Sequence, residues 1–154
     1  MQSHEITIRQ ALPSDAAFIA ALYMQLVSDP AVTVLPERIA EINKSTHTAL
    51  FVCERQYRVC GTALVALCAD VMFKSQPFAV IENLVVDASL RGLGAGTIML
   101  RHIEAFCLAR DCSKIMLLSS SHREHAHRFF EREGFAGSAK RGFVKYRSNF
   151  ETGL

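Results

Sequence analysis

From Ile81 to Arg101 the chain reads IENLVVDASLRGLGAGTIMLR, an apolar strand that runs into a glycine-punctuated turn and then into a helical pattern. Gly92, Gly94 and Gly96 stand at alternate positions. They remove the side chains that would keep an anion off the main chain, and they permit the positive φ values of a tight turn. One glycine would suffice for the turn alone, so the triplet points to a bound group. A helix running on from Thr97 leaves its first amides without intrahelical acceptors and sets its positive dipole end at the same spot. A pyrophosphate can be held there almost wholly by backbone.

The neighbouring residues narrow the ligand. Gly96 is followed by Thr97 and Ile98, so the Lys-Ser/Thr ending of a nucleoside triphosphatase loop is missing. A dinucleotide fingerprint needs glycine or alanine three residues after its second glycine, and counting from Gly94 that residue is Thr97. What the segment does contain is Arg91, two free positions, Gly94, one free position and Gly96, preceded by Leu84-Val85-Val86-Asp87. Later, Ala126-His127-Arg128-Phe129-Phe130-Glu131-Arg132-Glu133-Gly134-Phe135 ends in an aromatic pair and a Gly-Phe step. At the start, Ile6-Thr7-Ile8-Arg9 precedes Pro13-Ser14-Asp15-Ala16. In order and spacing this series resembles the GNAT N-acetyltransferase superfamily over nearly the whole chain.

The resemblance implies an α/β fold with a mixed, mostly antiparallel central sheet splayed between two parallel strands, helices on both faces, and acetyl-CoA as co-substrate. Leu84, Val85 and Val86 would hold the pantetheine arm and thioester carbonyl by strand-like hydrogen bonds, and Arg91, Gly92, Leu93, Gly94, Ala95, Gly96 and Thr97 the pyrophosphate. Amide formation needs a neutral amine, so a base is useful. Glu82 matches a glutamate that many members carry on this strand. Its alternation with Val80 and Leu84 in an apolar run predicts half-burial and a proton affinity raised toward the working pH. Two positions depart from the pattern. Phe130 replaces the usual phenol, leaving protonation of the thiolate to solvent, the amine, Ser121 or Tyr146. Arg123 replaces a frequent asparagine, where it would contact the adenosine phosphate. The lost phenol keeps open a second class, an acyl-CoA-binding sensor without turnover.

The 154 residues suit a single domain. The longest uncharged apolar run, Val59 to Ala69, is too short to span a bilayer. MQSHEITIRQ lacks the basic segment and apolar core of a secretory signal, so a cytoplasmic location is expected. Cys53, Cys60, Cys68, Cys107 and Cys112 are odd in number and form no C-x-x-C pair, which reads as reduced core thiols. Residues 1–90 carry six Lys/Arg against nine Asp/Glu, and residues 91–154 eleven against six, so the half holding the loop is the basic one. That suits an anionic coenzyme. Charges of alternating sign from Arg123 to Glu133 argue against nucleic acid, and the i, i+3 pair His122 and His125 lacks a third ligand, so no metal is expected. The acceptor is expected to be a small-molecule or peptide amine, and homodimerisation through the late chain is possible on the resemblance.

Alternation and punctuation predict strands at Glu5–Gln10, Thr48–Glu54, Arg58–Leu67, Phe78–Val86 and Lys114–Ser119. They predict helices from a Ser14 cap to Val27 with Phe18, Ala21, Leu22 and Leu26 on one face, from Pro36, at Gly94–Arg110 and at Arg123–Glu133. Phe135–Ala139 and Phe143–Arg147 read as a hairpin turned at Lys140-Arg141-Gly142. The loop Cys68 to Pro77 is a candidate part of the acceptor pocket.

Overall fold

The computed structural model describes residues 5–153. They form two compact units, one up to Leu117 and one from Leu118 onward. In the first unit β1 (Ile6–Gln10), β2 (Thr48–Arg55), β3 (Arg58–Cys68), β4 (Phe78–Val86) and β5 (Ile115–Leu117) make one sheet in that order. Neighbours are antiparallel except β4 and β5, which run parallel. This is the mixed, mostly antiparallel sheet the sequence predicts, and β2 and β3 turn through Gln56 and Tyr57, both at positive φ (53° and 62°). Such a two-residue turn matches the right-handed twist of the strands it joins.

Period-two alternation buries both faces of the sheet. Leu50 and Val52 of β2 pack with Ile19 and Leu22 of α1 (Ala16–Val27) and Ile39 of α2 (Pro36–Asn43). Phe51 points the other way, its ring edge-on to His102 (4.8 Å) and Phe106 (5.3 Å) of α3 (Ala95–Leu108). Edge-to-face contact of this kind adds to plain burial because the ring's positive rim meets a negative face. Helices thus cover both faces.

α1 differs from expectation at its start and on its inner face. Ser14 makes no cap bond. It lies in a short 3-10 turn, Pro13–Asp15, and the Asp15 carboxylate instead accepts the Leu12 amide at 2.7 Å. The buried stripe is Ala16, Ile19 and Leu22, with Tyr23 and Leu26 beside it, whereas Phe18 is 49% exposed and Ala21 is exposed. Packing of Ile19 and Leu22 against Leu50, Val52 and Ile39 selects this face, and Phe18 falls outside it.

In the second unit α4 (Glu124–Arg132) ends at Gly134, whose φ of 93° reverses the chain, and Phe129, Phe130 and Phe135 form a ring cluster with centroids 5.4 and 5.9 Å apart. The predicted hairpin is not formed: residues 135–146 contain no strand, and 147–149 make a 3-10 turn. Phe143, Val144 and Tyr146 are all exposed, so no buried face fixes a register, and a two-stranded ribbon without one is marginal in water. Among the described residues no helix is long and apolar enough to cross a membrane.

Candidate active site

The glycine segment leaves β4 through a tight turn that α1 grips. The Asp87 carboxylate caps the 3-10 turn Ala88–Leu90, accepting the Ser89 amide (2.9 Å) and hydroxyl (2.6 Å), and takes a third bond from Gln25 Nε2 (3.1 Å). Gln25 Oε1 in turn accepts the Ala88 amide at 3.0 Å, so one side chain of α1 holds the turn by both ends of its amide. Bonds from Ser89 and Gln25 stabilise the ionised carboxyl and bring the Asp87 pKa down to about 2. From the other side, the Asp87 amide donates to the Cys60 carbonyl at 2.8 Å.

Beyond this clasp Arg91 is extended, and Gly92 and Gly94 take φ values of 81° and 84°. A Cβ at either glycine would meet nothing among the described residues within 4 Å. Gly92 and Gly94 are therefore required by backbone conformation and not by crowding inside the chain, and the space a side chain would fill there is open. Ile98 donates the first intrahelical bond, to Gly94 at 3.0 Å, so the Ala95 and Gly96 amides belong to the first turn, where a helix offers no acceptor of its own. Ala95 is buried and contributes main chain alone, Leu93 is 54% exposed, and Gly96 and Thr97 are half-buried.

The sheet opens next to this loop. Pairing of β4 with β5 runs Ala79↔Ile115, Val80↔Met116 and Ile81↔Leu117 and then stops. From Glu82 to Val86, β4 keeps β3 on one side, and among the described residues no strand of the sheet lies on the other. That edge has no ladder partner beyond Ile81, and at its end the Val86 carbonyl takes Arg91 Nε at 3.4 Å.

A bulge sits at the opening. Thr62 pairs with Val85 and Leu64 with Glu82, so Asn83 and Leu84 together oppose Ala63, and Asn83 takes a φ of 55°. The extra residue breaks the alternation of Val80, Glu82 and Leu84. Val85 turns into the core under α1, and Glu82 is exposed, not half-buried as predicted. Tyr23 of α1, half-buried, reaches the Asn83 side chain. Desolvation raises its pKa, and the Asn83 hydrogen bond opposes that rise.

Gln25, Tyr23 and Asn83 escaped the sequence reading. The available signal was that AAFIAALYMQLV is apolar apart from one phenol and one amide, and those two groups are the ones that face β4 and its loop.

In the second unit Arg123 stands at the N-terminal cap of α4, and its assignment to the coenzyme rests on the resemblance alone. His127 Nε2 meets the Ser120 carbonyl at 2.9 Å and His125 Nδ1 meets Arg128 at 2.8 Å. Phe130 is buried and Tyr146 is 69% exposed. Among the described residues, no three His, Cys, Asp or Glu side chains group as a metal site.

Comparison with known proteins agrees with this geometry. The chain is similar to a candidate acetyltransferase from Agrobacterium tumefaciens strain C58, at 29% identity over 92% of this chain and 99% of that one, with a TM-score of 0.83. It superposes on glucosamine-6-phosphate N-acetyltransferase from Arabidopsis thaliana at 24% identity, covering 93% and 99% of the two chains with a TM-score of 0.79. An aminoglycoside N-acetyltransferase in complex with CoA gives 19% identity, 93% and 95% coverage and a TM-score of 0.77. A search of curated protein sequences returns no match. The sequence profile of the acetyltransferase (GNAT) family matches residues 19–135, from α1 through the Gly-Phe step after α4. With the splayed β4 and β5 and the glycine loop between strand and helix, that match makes this chain a member of the GNAT acetyltransferase family.

Proposed function

We propose that the protein transfers an acetyl group from acetyl-CoA to a primary amine by direct attack within a ternary complex, as a single domain acting in the cytoplasm. The observation that carries this reading is the edge of β4, Glu82 to Val86, that β5 leaves uncovered, running into a loop in which Gly92 and Gly94 hold positive φ with open space where a side chain would stand. The edge suits a pantetheine arm laid along it as an added strand, with Leu84, Val85 and Val86 supplying main-chain groups. Arg91 to Thr97 suit the pyrophosphate, which oriented amides and a helix N-terminus bind without side-chain chemistry.

The protein's part in the chemistry is then positioning and proton handling. Holding thioester and amine together replaces an encounter in solution by a step within one complex. Glu82, exposed on the α1 side of the bulge, takes the ammonium proton through a water and leaves a lone pair free to attack. The thiolate is protonated from solvent or from the amine, since Phe130 offers no proton. The acceptor class, a small-molecule or peptide amine, draws support from the glucosamine phosphate and aminoglycoside enzymes among the structural neighbours.

Acetyl-CoA should raise the unfolding midpoint, because a ligand that binds only the folded state stabilises it by about 2.7 kcal/mol at a hundred times its Kd. A thiol-release assay over a panel of amino sugars, aminoglycosides, polyamines and peptides should then find turnover. No shift with acetyl-CoA overturns the reading. Stabilisation without release on any amine selects the sensor, the reading that the missing phenol at Phe130 keeps open. For the base, Glu82→Gln should cut kcat at neutral pH by about a hundredfold and remove the acidic limb of the pH profile. An unchanged rate that rises with pH as before would remove Glu82 from that role.

A further inference from the structure

The buried thiols Cys53 and Cys60 are used by nothing in the reading above, yet they are placed against each other and against the coenzyme loop. They are 0% and 2% exposed, and their sulfurs are 3.3 Å apart. Two details of the strand pair bring them together. Cys53 pairs with Gly61 and Glu54 with Val59, so Cys60 is the extra residue of a bulge, and its side chain is released from strict alternation. Gly61 then leaves the space: a Cβ there would come within 3.2 Å of both the Cys53 Cβ and the Val85 carbonyl oxygen. The carbonyl of Cys60 holds the amide of Asp87 at 2.8 Å, and Asp87 caps the turn that begins the glycine loop.

We propose that Cys53 and Cys60 are a modification site, a dithiol that a hydroperoxide closes to a disulfide, and that closure loosens the coenzyme loop through the Cys60–Asp87 main-chain bond. The Cys60 thiolate attacks the terminal peroxide oxygen and the O–O bond breaks. This gives the Cys60 sulfenic acid and an alkoxide, or hydroxide from hydrogen peroxide, which takes up a proton. Cys53 sulfur then attacks the Cys60 sulfur, forming the S–S bond and expelling hydroxide, which leaves as water with the Cys53 proton. The two thiols lose an electron pair and the peroxide gains it.

The surroundings suit this sequence. A cleft of about 200 Å³ lined by Arg55, Arg58, Val59, Cys60, Asp87 and Leu90 runs up to Cys60, and Cys53 does not line it. The hydrogen bond it shares with Cys53 holds Cys60 below the usual thiol range, outweighing burial and the nearby Asp87 and Glu54 carboxylates, while Arg55 adds to the lowering. The sulfurs must close from 3.3 Å to a bond of about 2.05 Å. The bulge, where the ladder is already broken, is the part of the strand free to move, and it carries the carbonyl that anchors Asp87.

The test treats the full chain with hydrogen peroxide and maps disulfides by peptide fragmentation, which separates Cys60 from Cys68. It then follows amide exchange over residues 87–96 and acetyl-CoA affinity before and after dithiothreitol. We expect a Cys53–Cys60 crosslink, faster exchange in the loop, and affinity weakened about tenfold, the worth of one bond to a charged group, with reversal by the reductant. Cys53→Ala should bind acetyl-CoA normally when reduced and lose the reversible response. If Cys60→Ala misfolds, Cys53→Ala alone decides. A crosslink confined to Cys107 and Cys112, loop exchange unchanged by the Cys53–Cys60 crosslink, or a reversible loss of affinity that survives Cys53→Ala overturns the proposal. The affinity readout rests on the coenzyme reading above, whereas crosslink and exchange do not. Reduced protein that ignores acetyl-CoA would sink that reading and leave the thiol switch to be judged by the other two.

Discussion

Gly94→Ala should lower acetyl-CoA affinity by about a hundredfold or more while leaving the fold nearly intact. The residue sits at a φ of 84°, where a side chain costs about 1–2 kcal/mol in the left-handed region. That cost can be relieved by rotating the backbone, which swings the Ala95 and Gly96 amides away from their common target. Each bond from a backbone amide to a charged phosphate is worth about 1.5–3 kcal/mol, so misaiming a pair accounts for the loss. Gly134→Ala is the matched control. Its φ is 93°, and its Cβ too would meet nothing among the described residues within 4 Å, but it ends α4 and lies outside the loop. The two variants should unfold at similar midpoints and differ in calorimetric affinity. Equal affinity in both would mean that the loop's backbone does not carry the coenzyme.

The parts of this site that chain order dictates were legible beforehand. Apolar runs bounded by turn residues located all five strands, and β4 was placed to the residue, because Phe78 to Val86 is continuous and ends at an Asp that caps the next turn. The glycines announced the loop because positive φ is a local demand written in residue type. What stayed hidden was set by tertiary pairing. The bulge at Asn83 is a register event between β3 and β4, and no period in either strand reports it, so alternation gives Glu82 the burial of a regular strand. The sequence points to Ser14 as the cap because serine is a good one. Asp15 stands at that position instead, and its carboxylate turns back to the Leu12 amide and to Arg9 of a neighbouring strand, not to the helix amides. The late hairpin does not form for the complementary reason: Phe135 packs on Phe130 at the end of α4, while Phe143, Val144 and Tyr146 are exposed, so the two halves share no buried face to pair over.

Asp15→Ala should cost about 3 kcal/mol, because it breaks a charge network that ties β1, β2 and the start of α1 together. Asp15 keeps only 7% of its side chain exposed, and its two oxygens accept Arg9 at 2.8 and 3.1 Å and the Leu12 amide at 2.7 Å. Arg9 also donates to Glu54 from Nε at 2.9 Å. Removing one partner from a buried pair costs about 3–5 kcal/mol, and the lower end applies because Arg9 retains 33% exposure and can still reach Glu54 and water. For a chain of this length that is a fall in Tm of about 6–12 °C. The sign of the pH dependence follows from the same groups. Burial pushes the Asp15 carboxyl up, but the Arg9 bonds and the Leu12 amide outweigh it and hold the folded value below the ordinary one. A depressed carboxylate stabilises the fold above its unfolded pKa, about 3.9, and that contribution fades as pH falls through the lower folded value. Wild type and Asp15→Ala should thus differ most between pH 5 and 8 in denaturant titrations, by order of magnitude the full amount above, and converge in acid. A gap that persists undiminished well below the carboxylate range would assign the loss to packing and to the Leu12 amide, and not to the ion pair.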